Sequence, residues 1–326
     1  MDEKSLEVVT AIRGVTMAAA LCQEIGKSLI GKTSLMKKDR SPVTVADYGA
    51  QAIICTLLKE AFPEDTIVAE EDSTELRKPA HSAILDQVTH SVSKFIPVPS
   101  PEGICSWIDF SSRVVTDRFW TLDPIDGTKG FLRGEQYAIA LALIENGITK
   151  LGLLACPNLP VDKDLPYGER GCLFLALRGK GAVQMKISGG GCMPLAVSNI
   201  EDPSEAVVTE SIEPDHADFL LHRRFSERLN LKKPPLRMDS QAKYGIVARG
   251  EATLYLRVPS TGDPRHQEKI WDHAPGSIIA EEAGGRVTDV LGHPLDFSCG
   301  IEMDRNYGIV VTNGILHDIV LEALKM

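Results

Sequence analysis

The segment Asp123-Pro124-Ile125-Asp126-Gly127-Thr128 places two carboxylates, a proline and a hydroxyl close together in the chain. Aspartates three residues apart across a proline-containing turn can point at one place, and the Ile125 carbonyl between them adds a third oxygen. Oxygen ligands of this kind suit Mg²⁺. Gly127 permits a tight turn, and a helix beginning near Thr128 would direct its first amide groups at a phosphate. The chemistry that this turn favours is metal-assisted cleavage of a phosphate ester.

The alternative is an ordinary surface turn, because Asp, Pro and Gly are common turn residues. The apolar run Phe119-Trp120-Thr121-Leu122 directly before the segment is typical of a buried strand. A carboxylate turn at the end of a strand is a usual place for a functional site. We therefore favour the site over the plain turn.

A site for several divalent ions needs more carboxylates than one turn supplies. Glu70 ends a strand predicted over residues 67–69, in an acidic cluster that is costly unless a cation or solvent compensates it. A solvated loop explains Glu70 equally well. Asp272 lies after Trp271, where a helix is predicted to begin, and Asp47 lies near the start of another predicted helix. The plain alternative for both aspartates is a helix N-cap.

Residues 26–33 fit the phosphate-binding loop pattern of nucleotide triphosphatases: Gly, four residues, then Gly-Lys-Thr. That loop must follow a buried strand and open a helix, whereas these residues lie within and after the last turns of a helical pattern. Gly31 is better interpreted as a helix C-terminal stop, with Lys32 beside the negative end of the helix dipole. We therefore set the triphosphatase hypothesis aside.

The periodicity of apolar residues predicts a fold of mixed α and β class. Intervals of three and four residues predict an opening helix over 5–30, and a second helix is predicted over 45–62. Residues 73–105 are interpreted as a weak helix and an exposed, proline-rich excursion. Asn146-Gly147 between two apolar runs predicts a hairpin, and Gly179-Lys180-Gly181 predicts another.

Gly189-Gly190-Gly191 is interpreted as a link between two lobes. The larger lobe, residues 1–190, would carry the metal, and residues 191–326 would form a second lobe that completes the cleft. In the second lobe we predict helices between strands, the strands lying near residues 206–209, 253–258, 286–290 and 308–312.

Composition narrows the function classes. The chain has 326 residues, 43% of them hydrophobic, and a net charge of −10 from 35 basic and 45 acidic residues. Without a long basic run, polymeric nucleic acid is not expected as a partner. We also predict no membrane partner, because we find no apolar run near 20 residues and no signal peptide. No obligate protein partner is predicted either. A cytoplasmic or nuclear location follows by default. Seven scattered cysteines are predicted to be mostly buried, although a redox pair stays open.

Four motifs occur in a fixed order: Ser41-Pro-Val-Thr-Val-Ala-Asp47, Val68-Ala-Glu70-Glu-Asp72, Asp123-Pro-Ile-Asp-Gly-Thr-Lys-Gly-Phe131 and Trp271-Asp272-His273. Together they resemble the lithium-sensitive, Mg²⁺-dependent inositol monophosphatase superfamily. Two further segments, Asp239–Gly245 and Lys129–Tyr137, resemble its bisphosphate nucleotidase branch, especially the plant and yeast members. The resemblance implies an α/β fold, the layered αβαβα sandwich of that superfamily.

The resemblance also implies the metal ligands. Glu70, Asp123 and the Ile125 carbonyl would bind one Mg²⁺, and Asp123, Asp126 and Asp272 would bind another, so that Asp123 bridges the two ions. A third, weaker ion is implied near Asp47 and Glu70. The expected cofactor is therefore two to three Mg²⁺ ions.

The catalytic residues implied by the resemblance are Thr128 and Asp47, which would orient and deprotonate the attacking water. The implied substrate is a small nucleotide, adenosine 3′,5′-bisphosphate, which is cut to AMP and phosphate, with phosphoadenylyl sulfate as a second substrate. The implied substrate contacts are Gly127, Thr128, His216, Ser240, Lys243, Arg257 and Asp272. For Lys243 and Arg257 the alternative is a solvated surface charge, and for Ser240 it is a helix N-cap.

The chain departs from the family in the segment 108–120, where family members carry several glycines and this chain carries none. Valine or arginine would be strained at positions that need a positive φ, so we expect a remodelled loop beside the site. Two alternatives for function follow. One is a nucleotide-binding protein with weak or no turnover, and the other is an inositol polyphosphate 1-phosphatase.

Overall fold

The larger sheet carries the central acidic turn. A computed structural model describes residues 5–28, 34–36, 42–98, 100–212, 219–258 and 268–325. A short ribbon comes first, β1 (Ser34–Met36) and β2 (Pro42–Thr44). The larger sheet is separate from this ribbon and contains β3 (Thr66–Ala69), β4 (Ser111–Ser112), β5 (Arg118–Asp126), β6 (Ala138–Glu145), β7 (Ile148–Pro160), β8 (Arg170–Leu177), β9 (Gly181–Lys186) and β10 (Met193–Pro194). Its strand order is β10-β9-β8-β7-β6-β5-β3-β4, with β3 parallel to both of its neighbours and the other pairs antiparallel.

Helices cover the outer face of this sheet. They are α1 (Leu6–Ser28), α2 (Val45–Ala61), α3 (Ser82–Ser93) and α4 (Pro101–Ile108), and the short α5 (Thr128–Arg133) follows β5. The predicted helices over 5–30 and 45–62 are confirmed as far as the described residues reach. Apolar side chains of α1 and α2 form one core cluster with the strands, for example Val15 and Ile53 with Leu141. Burial of these faces holds the helices on the sheet.

The proline-rich segment is more ordered than predicted. Pro101 occupies the first turn of α4, where its missing N–H is tolerated, and Ser100 caps the helix by accepting a hydrogen bond from the Gly103 N–H at 3.1 Å. Ile104 and Ile108 are fully buried in the core. The interpretation of this stretch as an exposed excursion is therefore wrong for α4.

A second sheet lies on the other side of the molecule. It contains β11 (Val208–Glu210), β12 (Leu236–Arg237), β13 (Leu254–Arg257), β14 (Arg286–Thr288) and β15 (Ile309–Thr312), in the order β12-β11-β13-β15-β14. The remaining helices are α6 (Phe219–Arg228), α7 (Ala242–Ala248), α8 (Ala274–Glu282) and α9 (His317–Leu324). The four strands predicted in this half are confirmed, whereas the two-residue strands β10 and β12 were missed.

Alternation along the strands sets the order of the layers. Leu254 and Leu256 of β13 pack with α6 and α9, whereas Tyr255 between them packs with α7 and α8. On β7, a Cβ added to Gly152 would lie 2.3 Å from Ile278 Cγ2, so the glycine allows α8 to approach the larger sheet closely. Helices α7 and α8 therefore form a layer between the two sheets, and the predicted αβαβα sandwich is confirmed.

The turn and cysteine predictions are also confirmed. Asn146 and Gly147 have φ of 50° and 75° and join β6 to β7, and the glycines at 179 and 181 flank the turn between β8 and β9. Five cysteines are buried and two are exposed. The division of the chain into lobes at residue 190 stays a prediction.

The opening helix corrects one expectation about membranes. Residues Leu6–Lys27 form a helical segment of 22 residues that contains an 18-residue window with a mean hydropathy of 1.3, so by length and composition it could cross a bilayer. The sequence analysis found no such segment, and by length and composition that was wrong. In the structure 56% of this apolar window is buried, because α1 packs against α2 and the larger sheet. Residues 26–28 of the segment that matches the phosphate-binding loop pattern belong to α1. The other residues of that segment, 29–33, lie outside the described residues, and so does the helix stop predicted at Gly31.

Candidate active site

Strand β5 brings the two aspartates of the central turn to one face of the larger sheet. Asp123 lies opposite Ala140 of β6 and Asp126 lies opposite Ala138, so a bulge absorbs the extra residue between the aspartates. The two alanines are two positions apart, and alternate residues of a strand face the same way. The bulge thus turns both carboxylates toward the layer that contains α8. Pro124, which has no N–H, is tolerated at such an irregularity.

The Thr128 hydroxyl connects this turn to α2. Thr128 Oγ1 lies 3.1 Å from the Ile125 carbonyl oxygen and 3.5 Å from Asp47 Oδ1. A hydroxyl has one proton, so it donates to one of these oxygens at a time. Asp47 lies in the first turn of α2 and is 1% exposed. Gly127, with φ of 86°, begins α5 at the predicted place. A buried carboxylate is therefore within reach of a hydroxyl that lines the cleft.

Three carboxylates meet at one point of this cleft. One oxygen each from Asp123, Asp126 and Asp272 can be chosen so that all three lie within 4.8 Å of one another. Glu70, which follows β3, lines the same cleft. Burial, together with the charge of Glu70 among other groups, raises the pKa of Asp126 to about 6 and that of Asp272 well above its usual range. A divalent cation would favour the ionised form of both, and oxygen donors of this kind suit Mg²⁺. The residues present thus fit a metal site.

Asp272 reaches the cluster from the side of the second sheet. It ends a 3₁₀ helix over Ile270–Asp272, and α8 begins two residues later with His273 at its N-cap. The helix N-cap alternative for Asp272 is therefore wrong. Its carboxylate faces the cleft and contributes to the acidic cluster.

The segment before α7 ties the two sides of the cleft together. The Gln241 backbone N–H donates to the Asp126 carboxylate, and Gln241 Nε2 donates to the Trp271 carbonyl at 2.8 Å. Asp239 forms an ion pair with Arg133 of α5. The acidic turn and Asp272 are thus held in register by contacts that cross from one sheet to the other.

Two cations line the same cleft as the carboxylates. Lys243 of α7 is 4% exposed and lies 5.3 Å from the ring centroid of Tyr255, and Arg257 ends β13. Both line the cleft, so the solvated-charge alternative is wrong for each. Burial lowers the pKa of Lys243 to about 8, although the Asp126 charge opposes it. Burial also lowers the pKa of Arg257, but Glu268 more than offsets that, so the guanidinium stays charged.

Ser240 also lines the cleft, in a conformation that is unusual for a serine, with φ of 70°. The N-cap of α7 is Gln241 rather than Ser240, although Ser240 Oγ accepts a hydrogen bond from the Ala242 N–H at 3.2 Å. His216 lies outside the described residues. Every other predicted site residue except Asp47 lines this one cleft, whose volume is about 200 Å³, and Asp47 contacts it through Thr128.

Sequence reasoning missed several residues of the cleft, namely Lys129, Gly130, Ser211, Asp239, Gln241 and Tyr255. Four of them lie within motifs that the sequence analysis quoted, so position within a motif was an available signal. Tyr255 could have been found from its place two residues before Arg257 on the same strand, because alternate residues of a strand face the same way. Ser211 had no signal in the sequence.

The glycine-poor loop takes a conformation that its residues tolerate. Among the described residues, the non-glycine positions with positive φ are 146, 230 and 240, so none falls in 108–120. Instead, Ser111 and Ser112 extend the sheet beside β3. Arg113 Nη2 donates to the Glu70 carbonyl at 2.9 Å, and its guanidinium lies 5.5 Å from the ring centroid of Trp271. Remodelling relative to the family stays a prediction, and in this chain the loop places an arginine between the Glu70 carbonyl and the ring of Trp271.

Comparison with known proteins extends this geometry to the whole chain. The model of the inositol monophosphatase family matches residues 3–325. The chain belongs to the inositol monophosphatase family. Three similar members are named 3′(2′),5′-bisphosphate nucleotidase. The first, from Oryza sativa, is 45% identical, with 98% of this chain and 93% of the relative covered. The second, from Dictyostelium discoideum, is 42% identical, covering 97% and 95%. The third, from Schizosaccharomyces pombe, is 39% identical, covering 96% and 93%.

Solved structures of this family share the fold. An IMPase from Thermotoga maritima superposes with a TM-score of 0.67 at 22% identity, covering 98% of this chain and 96% of that one. CysQ from Bacteroides thetaiotaomicron, a bacterial family member, gives 0.63 at 20% identity, covering 94% and 96%. At these identities the structural similarity establishes only the layered fold, and the substrate has to be inferred from the residues of the cleft.

Proposed function

We propose that this chain is a Mg²⁺-dependent 3′(2′),5′-bisphosphate nucleotidase that removes the 3′-phosphate of adenosine 3′,5′-bisphosphate and leaves AMP. Phosphoadenylyl sulfate is a second substrate of the same kind. The observation that carries the proposal is one cleft that is lined both by a carboxylate cluster and by two cations, Lys243 and Arg257. The names of relatives that are 39–45% identical over nearly the full length support the same substrate class.

The metal ligands are assigned by position in the cleft. Glu70, Asp123 and the Ile125 carbonyl would hold one ion, and Asp123, Asp126 and Asp272 would hold a second. The short separation of the three aspartate oxygens supports the second set. When bound, two Mg²⁺ ions would polarise the phosphate, neutralise developing charge and lower the pKa of a water molecule.

Thr128 and Asp47 would handle the proton of the attacking water. The water oxygen forms a bond to phosphorus, the bond from phosphorus to the 3′-oxygen breaks, and the leaving oxygen takes up a proton. Thr128 Oγ1 orients the water and passes a proton toward Asp47, whose carboxylate is 3.5 Å away. A threonine alone is a poor base, so the buried carboxylate behind it is needed. The amides of Gly127, the N-cap of α5, and of Thr128, its first residue, would contact an oxygen of the same phosphate.

The side of the cleft opposite the acidic turn would hold the phosphate that is not cleaved. Lys243 supplies a point charge and Arg257 a planar set of N–H donors, which together suit a phosphate at the 5′ position. Ser240, beside them, adds a hydroxyl. His216 is assigned to the nucleotide by resemblance. A substrate with a single phosphate group would make no use of this second set of donors, which favours a doubly phosphorylated substrate.

The test compares substrates directly. Phosphate release from adenosine 3′,5′-bisphosphate is measured with Mg²⁺, with EDTA and with added lithium, beside inositol 1,4-bisphosphate at the same concentration. We expect fast release from the nucleotide that EDTA abolishes and lithium inhibits. Faster release from the inositol substrate would contradict the proposal. Tight nucleotide binding without release would make the chain a binding protein.

A further inference from the structure

Behind the two cations of the cleft lies a continuous path of buried contacts. Arg257 Nε donates to Glu268 Oε1 at 2.7 Å, and Glu268 Oε2 lies 3.0 Å from His273 Nε2. His273 Nδ1 is 2.9 Å from the Tyr244 hydroxyl. Tyr244 packs edge-on against Tyr255, with 5.2 Å between ring centroids. The ammonium group of Lys243 lies over the Tyr255 ring, 5.3 Å from its centroid.

Glu268 is the charged centre of this path. Its side chain is 5% exposed, and its two carboxylate oxygens contact different partners. Burial alone would raise the pKa of Glu268, but the charge of Arg257 and the contact with His273 hold it well below its usual range. The carboxylate is therefore ionised, and it supplies the counter-charge that a buried guanidinium needs.

The geometry of the contact determines the orientation of the guanidinium. A guanidinium is planar, with five N–H donors in a fixed arrangement. Fixing Nε on a buried carboxylate therefore fixes the plane of the whole group. Arg257 at the same time lines the cleft, with a side chain that is 18% exposed. A phosphate oxygen in the cleft would thus meet a donor set that is already oriented.

Glu268, Asp272 and His273 also come close enough to be considered as a metal site. Both Glu268 oxygens are used, one by Arg257 and the other by His273. A cation placed there would also lie beside the buried guanidinium, which repels it. The contacts therefore favour an ion-pair network over a metal site.

We propose that Glu268 is a positioning residue that orients Arg257 toward the phosphate that is not cleaved, and so sets the preference for a doubly phosphorylated nucleotide. This inference rests on the proposed function. Glu268 does not touch the reacting atoms. It acts through Arg257, and the effect of its removal is expected in the binding of the second phosphate rather than in the cleavage of the first.

The experiment measures kcat and KM for adenosine 3′,5′-bisphosphate and for 3′-AMP, which lacks the 5′-phosphate. It compares the wild type with Glu268→Gln, Arg257→Lys and the double variant. In each variant we expect the ratio of the two kcat/KM values to fall about tenfold or more, mainly through a higher KM for the bisphosphate. The values for 3′-AMP should stay within about twofold. The double variant should be no worse than the worse single variant, because both changes remove the same contact.

The matched control is Glu302→Gln, which removes a glutamate from the half-buried ion pair with Lys269 in the same part of the chain. This variant should leave the ratio unchanged. An unchanged ratio in Glu268→Gln, or equal losses on both substrates, would overturn the inference. If Glu268→Gln does not fold, Glu268→Asp is measured in its place, with the same expected loss. Failure of both variants to fold would assign the pair to stability and would also overturn the inference. A wild type that releases no phosphate from the bisphosphate would instead defeat the proposed function itself.

Discussion

The two walls of the cleft differ in how they are built. The acidic wall, formed by Glu70, Asp123 and Asp126, comes from the ends of two neighbouring strands of the larger sheet. The basic wall, formed by Lys243 and Arg257, comes from a helix and a strand of the second half of the chain and is supported by Glu268 and His273. The carboxylates of the first wall lie close together, and a bound metal ion would reduce the repulsion between their charges. In the second wall, Arg257 is already paired with the carboxylate of Glu268.

This difference assigns separate tasks to the walls. A cluster of like charges is costly unless a ligand completes it, so the acidic wall is suited to metal ions and to the reaction itself. A preformed set of donors with its own counter-charge is suited to recognising an anion that does not change during the reaction. Variants of the first wall should therefore affect every substrate, and variants of the second should affect the choice between substrates.

The largest effect is expected for Asp126→Asn. The change keeps the shape of the side chain but removes a negative charge from the carboxylate cluster, so we expect kcat to fall by about 10³-fold for both the bisphosphate and 3′-AMP. The measurement is steady-state phosphate release at saturating Mg²⁺. Asp164→Asn, at an aspartate whose side chain is 77% exposed, serves as the control and should leave kcat unchanged. A loss confined to one substrate would contradict the division between the walls.

The next effect is expected for Lys243→Gln on the basic wall. Removing the buried ammonium should raise KM for adenosine 3′,5′-bisphosphate about tenfold, because one charged contact to the second phosphate is lost. The KM for 3′-AMP should change less than twofold. Lys180→Gln, in the exposed turn between β8 and β9, is the matched control. Equal changes for both substrates would mean that Lys243 does not distinguish them.

A smaller effect is expected for Arg113→Gln, in the loop that lacks the family's glycines. Arg113 contacts the Glu70 carbonyl and stacks on Trp271, so its loss should loosen the backbone on both sides of the metal site. For an exposed cation–π contact we expect about a threefold increase in the Mg²⁺ concentration that gives half-maximal activity. The kcat at saturating Mg²⁺ should be unchanged. Arg286→Gln, which removes an exposed ion pair with Asp318, is the control. An unaltered Mg²⁺ requirement would show that the loop does not support the site.

The smallest effect concerns stability at the back of the basic half. His317 is fully buried between Thr288 and Thr312, and burial together with Arg286 lowers its pKa to about 4. Between this value and the unfolded value of about 6.5 the unfolded chain binds more protons, so stability is present above pH 6.5 and is lost as the pH falls toward 4. We expect a loss of at most about 2 kcal/mol between pH 6.5 and 5, measured by urea unfolding. The slope should be smaller in His317→Gln. An equal slope in that variant would assign the pH dependence to other groups.

The two walls also differ in how far the sequence predicted them. The aspartates of the central turn could be found because their spacing, the proline and the glycine encode a local backbone geometry. Turn residues likewise predicted the hairpin at Asn146-Gly147, and the periodicity of apolar residues predicted the helix that contains Asp47. Structure added the bulge in β5, which explains why residues three apart face the same way.

The support behind the basic wall could not be predicted in this way. Glu268 and His273 meet Arg257 and Tyr244 only because α7, α8 and β13 pack together, and no spacing in the chain encodes that contact. Asp272 was found by its motif, although the helix cap offered as its alternative was wrong. The sequence analysis overlooked the apolar length of α1, and the structure accounts for that length, because α1 is packed against α2 and the larger sheet.

The measurement that tests the two-wall account most directly is the identity of the product formed from adenosine 3′,5′-bisphosphate in the presence of Mg²⁺. If the acidic wall cleaves the 3′-phosphate while the basic wall holds the 5′-phosphate, the product is 5′-AMP, with one phosphate released per nucleotide. Formation of 3′-AMP, or binding of the nucleotide without any release of phosphate, would contradict the account.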